Sequence, residues 1–371
     1  MERANIVIIG AGIVGLSIAA EISKNNESVY ILEKNWNFGL ETSSHNSGVI
    51  HSGIYYPKNS LKSTLSIKGN QLIYDICKNY KIPVRKLGKL IVAKGEDEIK
   101  NLDKLMLNGI DNNIEGLKFL DQEDVRRLEP NVIVDKAIYV PSTGIIEPTD
   151  LMEYFYSKAT KNQVQIAYKT EVTGIKRLDD GYELKGISVG EKFNIQANTV
   201  INSAGLFADK IAAMVGLDID NLGYRLQYYK GDYFRISGPP PVKMLIYPVP
   251  NSIGLGIHLT PDLSGSVRIG PNAYPVEKID YKVESNKKEF IDSVKRFIPS
   301  IEKYQIDEDS AGIRPKIKGS SEIFKDFVIT HEKNNGLFGY INLVGIESPG
   351  LTAAPAIAEY VSEIYENEIK N

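Results

Sequence analysis

Two histidines lie close together in a polar segment, SSHNSGVIHSGIYY, at residues 43–56. The chain has four histidines in all, so half of them fall within this one segment, beside serines, an asparagine, glycines and two tyrosines. Histidine has an unperturbed pKa of about 6.5, which makes it the usual general base near neutral pH. His45 and His51 are therefore candidates for proton transfer or for contact with a bound group. No third residue at zinc-ligand spacing accompanies them, so we expect no metal site.

The N-terminal sequence predicts a unit that binds a dinucleotide. Residues 4–9 and 28–34 are β-branched runs typical of buried strands, and the sequence GAGIVG between them opens a helix. The second strand ends in Glu33, which is placed to accept hydrogen bonds from the adenosine ribose. Strand, glycine turn, helix, strand and acid in this order form the dinucleotide-binding fingerprint, which argues against a chance glycine-rich turn.

Each glycine of this unit has its own predicted role. Gly10 allows a tight turn, Gly12 lets the backbone approach a pyrophosphate, and Gly15 allows the helix to pack closely on the strand. The free N–H groups and the partial positive charge of the helix N-terminus favour phosphate binding.

The bulk composition limits the class of protein. A chain of 371 residues favours two lobes, and a formal net charge of −3 provides no basic excess for nucleic acid. The single cysteine, Cys77, excludes an intramolecular disulfide and is typical of a reducing cytosol. Residues 6–20 are apolar but short for a membrane span, and we interpret them as folded structure rather than a signal peptide. We expect a cytoplasmic protein, with peripheral contact at the inner face of the membrane left open.

The remaining elements interleave along the chain. Residues 61–80 and 150–162 have helical patterns, residues 88–94 form a strand pattern, and residues 222–274 alternate as antiparallel strands do. We predict an α/β fold in which a Rossmann-like nucleotide domain is joined to a second, α+β domain built on an antiparallel sheet. The predicted nucleotide domain comprises residues 1–82, 142–218 and 312–371, and the second domain comprises residues 83–141 and 219–311.

Several motifs together resemble one known family. GAGIVGLSIAAEI, ETSSHNSGVIHSGIYY, VINSAGLFADKIA and GIESPGLTAAPAIA are similar to sequences of the FAD-dependent D-amino-acid-oxidase-like superfamily. Within it, the chain most resembles the L-2-hydroxyglutarate dehydrogenase/oxidase group, through HNSGVIHSGIYY, GKLIVA, GDY, IYPVP, GLGIHLTP and GPNA in that order. The resemblance extends over nearly the whole chain and implies FAD as the cofactor.

The resemblance also implies which residues contact FAD. The polar residues 41–48 supply hydroxyl and N–H groups beyond the pyrophosphate. Residues 348–358 aim a helix N-terminus at the pyrimidine end of the flavin, where the reduced ring carries negative charge. The residues expected to bind FAD are Gly10, Gly12, Ile13, Val14, Gly15, Glu33, Lys34, Thr42, Ser43, Ser44, His45, Asn46, Ser47, Gly48, Val172, Ala204, Gly205, Gly350, Leu351 and Thr352.

The same resemblance implies a mechanism. His51 matches the family's catalytic histidine and is expected to take the hydroxyl proton while the α-hydrogen leaves as hydride. Arg314, in SAGIRPK, matches an arginine that holds the substrate carboxylate through both oxygens. A hydrogen-bonded core histidine and a surface arginine are the structural alternatives. Further substrate contacts are expected from Tyr233, Tyr247, His258 and, at a distal carboxylate, Lys230.

Other functions remain open from the sequence. The related glycerol-3-phosphate oxidase branch shares the glycine-rich ends and the second histidine, but this chain has Leu255 where that branch is expected to carry a lysine for phosphate. Lys230 stands where the preferred group is expected to have arginine, and lysine lacks the bidentate fork. An NAD-only dehydrogenase and an FAD-binding subunit without turnover are further alternatives. The expected partners are a small 2-hydroxy acid and an electron acceptor, which can be oxygen, a quinone or a protein carrier.

Overall fold

The computed structural model describes residues 2–25, 28–250, 256–319 and 324–370. Leu255, used above to separate the two branches, lies outside these residues. Within them the α-helices are α1 (Ile13–Ile22), α2 (Leu61–Tyr80), α3 (Glu96–Asp111), α4 (Gln122–Leu128), α5 (Pro148–Lys161), α6 (Ala208–Met214), α7 (Lys287–Lys295) and α8 (Gly350–Glu368). The strands are β1 (Glu2–Ile9), β2 (Val29–Leu32), β3 (Val49–Ile50), β4 (Val84–Arg85), β5 (Lys89–Ala93), β6 (Lys118–Asp121), β7 (Lys136–Val140), β8 (Gly144–Ile146), β9 (Gln165–Ala167), β10 (Thr170–Leu178), β11 (Gly181–Ser188), β12 (Glu191–Asn202), β13 (Leu226–Ser237), β14 (Leu245–Pro248), β15 (Leu259–Pro261), β16 (Val267–Ile269), β17 (Tyr274–Val276), β18 (Gln305–Ile317), β19 (Val328–His331) and β20 (Tyr340–Val344).

The first sheet has a parallel centre, as expected for a nucleotide-binding domain. Strand β1 pairs in parallel with β2 and β12, and β9 and β20 extend the parallel set on either side. An antiparallel hairpin, β10 and β11, completes one edge. Helices α1, α2, α5 and α8 contribute to the large apolar core beside this sheet. Because β1 and β2 end at the same edge, Gly10 and Glu33 follow them there together.

The second sheet is nine-stranded and mostly antiparallel, in the order β17-β13-β16-β15-β14-β5-β7-β6, with β18 paired to β13. The exception is the parallel pairing of β5 with β14. The predicted fold class, a Rossmann-like domain joined to an antiparallel α+β domain, is therefore confirmed. The expected domain boundary at residue 312 lies inside β18, which pairs with β13 as far as Ile317.

A small sheet of β3, β8 and β4 lies apart from these two sheets. It matters for the site because β3 ends one residue before His51. Among the helices of the described residues, none combines the length with the mean hydropathy that a bilayer span requires.

Candidate active site

A cavity of ≈ 370 Å³ is lined by residues of both large sheets. Most residues that the sequence assigned to FAD lie along it, together with four of the five candidate substrate contacts and His51. The assigned cofactor residues in the lining are Gly10, Gly12, Ile13, Val14, Glu33, Lys34, Thr42, Ser43, His45, Asn46, Ser47, Val172, Ala204, Gly205, Gly350 and Leu351, and the remaining assigned residues are His51, Tyr233, Tyr247, His258 and Arg314.

The turn after β1 shows why glycine is needed there. Gly10 has a φ of +100°, and a Cβ on Gly15 would lie 2.0 Å from the carbonyl oxygen of Gly10. Helix α1 therefore packs against the turn at a distance that only glycine allows. Gly15 supports the cavity by this packing and does not line it.

Glu33 is held rigidly at this turn. One carboxylate oxygen accepts from the backbone N–H of Ala11 at 2.8 Å, and the other accepts from that of Asn35 at 2.7 Å. The side chain is buried, and its position in the cavity lining leaves the second lone pair of each oxygen for a ligand.

The polar segment 41–48 is tied to the start of α1. Ser43 Oγ accepts from the backbone N–H of Ile13 at 2.9 Å, so this hydroxyl lies at the helix N-terminus. Asn46 donates to the carbonyl of Ser43 at 2.8 Å and accepts from the N–H of Gly48 at 2.9 Å. Gly48 and Ser44 shape this segment from outside the cavity lining.

His45 forms part of the cavity wall. Its Nδ1 lies 2.8 Å from the carbonyl oxygen of Glu41, and its ring stacks on that of Tyr281 at 3.8 Å between centroids. The Tyr281 hydroxyl in turn donates to the Glu41 carboxylate at 2.7 Å. Because the stack on Tyr281 and the hydrogen bond at Nδ1 fix its ring, His45 is better suited to shape a binding surface than to exchange protons.

These residues fit an FAD molecule. The N-termini of α1 and α8 both reach the cavity, through Gly12 and Ile13 and through Gly350 and Leu351. A Cβ at Gly12 would lie 3.0 Å from Ser43 Oγ, so the glycine keeps the surface at the N-terminus of α1 open. Two helix N-termini along one cavity suit a ligand that carries a pyrophosphate and, further along, a ring that gains negative charge.

His51 lies at the cavity with one ring nitrogen free. Its backbone N–H donates to Thr352 Oγ1 at 3.0 Å, and its carbonyl accepts from Asn70 at 2.9 Å. Nε2 lies 3.5 Å from Ser348 Oγ, whereas the buried Nδ1 has no hydrogen-bond partner among the described residues. The loop that carries the ring is thus fixed by its backbone, and the imidazole remains available.

The surroundings keep His51 neutral. Burial lowers its pKa well below 6.5, and the positive charges of Lys89 and Arg314, with the ring of His258, lower the pKa further. A neutral imidazole with an unpartnered nitrogen is a proton acceptor at neutral pH.

Tyr247 and His258 form a stacked pair beside His51. Their ring centroids are 3.7 Å apart, and His258 Nδ1 lies 2.8 Å from the carbonyl oxygen of Gly256. Burial is the main cause that lowers the pKa of His258 to about 3. The pair is therefore an uncharged wall.

Arg314 provides a cation in the cavity. It lies on β18 opposite Tyr229, and no carboxylate of the described residues forms an ion pair with it. The same guanidinium lines a second cavity of ≈ 1040 Å³, together with Tyr55, Glu347 and Ser348. Arg314 is thus open to an anion where the two cavities meet.

Lys230, which the sequence assigned to a distal carboxylate, does not line the cavity. On β13, Gly231 and Tyr233 line the cavity, and successive strand residues face opposite sides of a sheet. Lys230 accordingly faces the other side, where its Nζ donates to Glu284 at 3.0 Å.

Thr352, also assigned to the cofactor, has a fully buried side chain that does not line the cavity. Its hydroxyl accepts from His51 N–H and donates to the carbonyl of Val49 at 3.1 Å. It joins α8 to the segment that carries His51.

Sequence reasoning missed Lys89, the first residue of β5. Its side chain is fully buried, and its Nζ has no hydrogen-bond partner among the described residues. Burial lowers its pKa from 10.5 to about 7. A signal was present, because GKLIVAK places a lysine at the start of an apolar strand. For metals, no group of three or more His, Cys, Asp or Glu side chains within the described ranges could hold an ion.

Comparisons with known proteins agree with this geometry. Residues 5–364 match the family described as FAD dependent oxidoreductase. A mitochondrial L-2-hydroxyglutarate dehydrogenase of Arabidopsis thaliana is 37% identical, over 97% of this chain and 83% of the relative. A glycerol 3-phosphate dehydrogenase of Caloramator mitchellensis is 34% identical, over 99% of this chain and 74% of the relative.

One solved structure is similar along the same length. The dithionite-reduced L-α-glycerophosphate oxidase of Mycoplasma pneumoniae, with FAD bound, has a TM-score of 0.85 and 28% sequence identity, covering 99% of this chain and 95% of that one. The similarity therefore covers both large sheets and the cavity between them.

Proposed function

This chain belongs to the family of FAD-dependent oxidoreductases, and we propose that it oxidises L-2-hydroxyglutarate to 2-oxoglutarate. The observation that carries the proposal is that two groups lie on one cavity: the neutral imidazole of His51, whose Nδ1 has no partner among the described residues, and the guanidinium of Arg314, which forms no ion pair with them. A 2-hydroxy acid needs both, because its carboxylate must be held while its hydroxyl proton is removed.

FAD, when bound, would supply the acceptor for the hydride equivalent that leaves the α-carbon. The protein's own part is to orient the substrate and to take the proton. Arg314 binds the carboxylate next to the reacting carbon, and a planar guanidinium that binds both oxygens also fixes the direction of the α-C–H bond. His51 accepts the hydroxyl proton as the carbonyl forms, a role that contributes about 10²–10⁴-fold to the rate in comparable enzymes.

The choice of L-2-hydroxyglutarate is supported by the 37% identical relative of that name and by the motifs of the substrate lobe. Glycerol 3-phosphate is the second candidate, because a relative at 34% identity and the similar solved oxidase are named for that substrate. Both substrates carry a secondary hydroxyl group and an anionic group, so the arrangement of His51 and Arg314 suits either one.

Anaerobic reduction of the bound flavin tests the proposal. The purified holoenzyme is mixed with L-2-hydroxyglutarate, with its D enantiomer or with glycerol 3-phosphate, and the visible absorbance of the flavin is followed. We expect rapid bleaching with the L enantiomer alone. Bleaching by glycerol 3-phosphate with no response to L-2-hydroxyglutarate would replace the first substrate by the second.

Variants at the two key positions test the mechanism. His51→Gln keeps a side chain of similar size without the base and is expected to slow bleaching by about 10²–10⁴-fold. Arg314→Lys keeps the charge but loses the bidentate contact, so it should bind substrate more weakly than wild type and more tightly than Arg314→Met. Wild-type rates in His51→Gln would remove this histidine from the chemistry.

A further inference from the structure

Three lysines of the described residues are buried, and one of them lacks a carboxylate partner. Lys62 forms an ion pair with Glu347 at 2.9 Å, and Lys230 forms one with Glu284 at 3.0 Å. Lys89 is as deeply buried as these, yet its Nζ has no hydrogen-bond or ion-pair partner in the described part of the chain. A buried ammonium group without a counter-charge is costly, so its place in the fold needs an explanation.

Lys89 lies on the face of the second sheet that meets the cavity. Strands β5 and β14 pair in parallel, with Lys89 opposite Leu245 and Ile91 opposite Tyr247. Residues 89 and 91 share one face of β5, and their partners share the same face of β14. Since Tyr247 lines the cavity, the Lys89 side chain extends on the cavity side.

Lys89 itself lines neither of the two cavities that share Arg314, but its ammonium group lies over the rings of one residue that lines each of them. Its Nζ is 4.9 Å from the ring centroid of Tyr247, which lines the first cavity, and 4.3 Å from that of Tyr55, which lines the second. The aromatic faces offset part of the cost of burying the charge. Arg314 lines both cavities and its charge acts on the Tyr247 hydroxyl, so an anion held by Arg314 lies in the same region as the Tyr247 ring.

We propose that Lys89 is the specificity-determining residue for a second negative charge on the substrate. In this arrangement Arg314 holds the carboxylate next to the reacting carbon, and the distal anionic group of a dianion is the counter-charge for the Lys89 ammonium. The inference rests on the proposed function in placing the substrate in this cavity. It replaces Lys230, which faces away, as the cation that favours a diacid over a monoacid.

Lys89 is also the group near the cavity that titrates close to neutral pH. The titratable side chains beside it are Tyr55 from the loop after β3, Tyr247 from β14, His258 before β15, and His51. Burial raises the pKa of both tyrosines and lowers that of both histidines, so these four are neutral at pH 7.

The direction of the pH effect follows from the lysine. With a pKa of about 7 in the absence of ligand, Lys89 is charged below pH 7 and increasingly neutral above it. A bound dianion favours the charged form and raises this pKa, so binding above pH 7 must take up a proton. Dianion affinity should therefore fall as pH rises from 7 to 9.

Calorimetric titration of the holoenzyme with two non-oxidisable acids tests the proposal. Glutarate and pentanoate have five carbons each and differ by one carboxylate. At pH 6.5, Lys89→Met should bind glutarate about 30-fold or more weakly than wild type, since this is the usual loss when one partner of a buried charge pair is removed. Pentanoate binding should change less than threefold.

Two further variants serve as controls. Lys89→Arg keeps a charge at all relevant pH values, so it should restore most glutarate affinity and abolish the weakening above pH 7. Lys230→Met removes an equally buried lysine on the opposite face and should leave glutarate binding within about twofold of wild type. Wild type should also take up close to one proton per bound glutarate at pH 8, whereas Lys89→Met should take up none. The uptake is obtained from the difference in apparent binding enthalpy between HEPES and Tris buffers.

The outcomes separate the two proposals. Equal glutarate affinity in wild type and Lys89→Met, or no glutarate binding by wild type, overturns the role of Lys89. Failure of L-2-hydroxyglutarate to bleach the flavin overturns the proposed substrate alone, because glutarate binding requires no oxidation.

Discussion

Replacing Thr352 with valine is expected to disturb the position of His51 without touching the cavity. Thr352 is fully buried, and its hydroxyl is the acceptor for the N–H of His51 and the donor to the carbonyl of Val49. Strand β3 is at the edge of its small sheet, so its outer backbone groups have no neighbouring strand to pair with. The Thr352 hydroxyl bonds to two backbone groups at this edge, the carbonyl of Val49 and the N–H of His51. Valine has nearly the same shape but provides neither contact.

The magnitude follows from the two orphaned groups. A buried backbone group without a partner costs about 1–3 kcal/mol, so the two together cost about 2–6 kcal/mol. The extra methyl group of valine returns roughly 1 kcal/mol, which leaves a loss of about 1–5 kcal/mol in the free energy of unfolding. Part of this strain can be relieved by movement of the His51 backbone, and a shift of about 1 Å at a reacting group can cost about 10²-fold in rate.

Thr352→Ser is the matched control, because it keeps the hydroxyl and loses a methyl group. Both variants are compared by denaturation followed through flavin fluorescence and by the rate of flavin reduction at saturating substrate. We expect Thr352→Val to be less stable than Thr352→Ser and at least tenfold slower in reduction. If the two variants unfold together and reduce at the same rate, the hydroxyl does not position His51.

The remaining predictions concern packing and charge. Gly15→Ala places a Cβ 2.0 Å from the carbonyl oxygen of Gly10, so α1 must move, and FAD affinity measured by fluorescence titration should fall at least 100-fold. Gly174→Ala is the control, because a Cβ there meets nothing within 4 Å, and this variant should bind FAD as wild type does. Because burial lowers the pKa of Lys89 from 10.5 to about 7, the unfolded chain binds more protons than the native one between these values, and stability should rise with pH by up to about 1.4 kcal/mol per unit. Denaturation of wild type and Lys89→Met from pH 7 to 10 should show this slope as a difference between them, and parallel curves would contradict it. The pKa of His51 lies well below 6.5, so this histidine should stay neutral from pH 8 to pH 6.5 and the wild-type rate of flavin reduction should not fall through its protonation. A sharp loss of rate near pH 6.5 in wild type that is absent in His51→Gln would show that His51 becomes protonated there.

The nucleotide-binding half was predictable because its signal is local. Three glycines, two short apolar strands and the acid that ends the second strand, Glu33, fall within the first 33 residues, and each has a physical role that its neighbours in sequence define. The structure places Gly10, Gly12 and Glu33 along the cavity. The fold class followed from the same pattern and from the alternating strands near residues 222–274.

The positions of Lys230 and Thr352 relative to the cavity depend on features beyond their own motifs. Tyr233 and Lys230 are three residues apart on one strand, so they cannot face the same side of a sheet, and only the first lies at the cavity. Thr352 was assigned to the cofactor from its motif, but the direction of its hydroxyl depends on the approach of α8 to β3. The two-residue period of β13 by itself places Lys230 on the face opposite Tyr233.

Local sequence is enough to identify the residues that adjoin a phosphate-binding turn, because backbone turns and helix starts are set by residues close together in the chain. The three-dimensional fold brings Lys89 and Arg314 close to His51. These residues are separated by up to 263 positions in the chain, so their proximity depends on how distant strands pair. The fold also decides their charge. Burial makes Lys89 lose its proton more readily, and burial together with nearby cations keeps His51 neutral. Neither the burial nor the nearby charges can be inferred from residues adjacent in sequence.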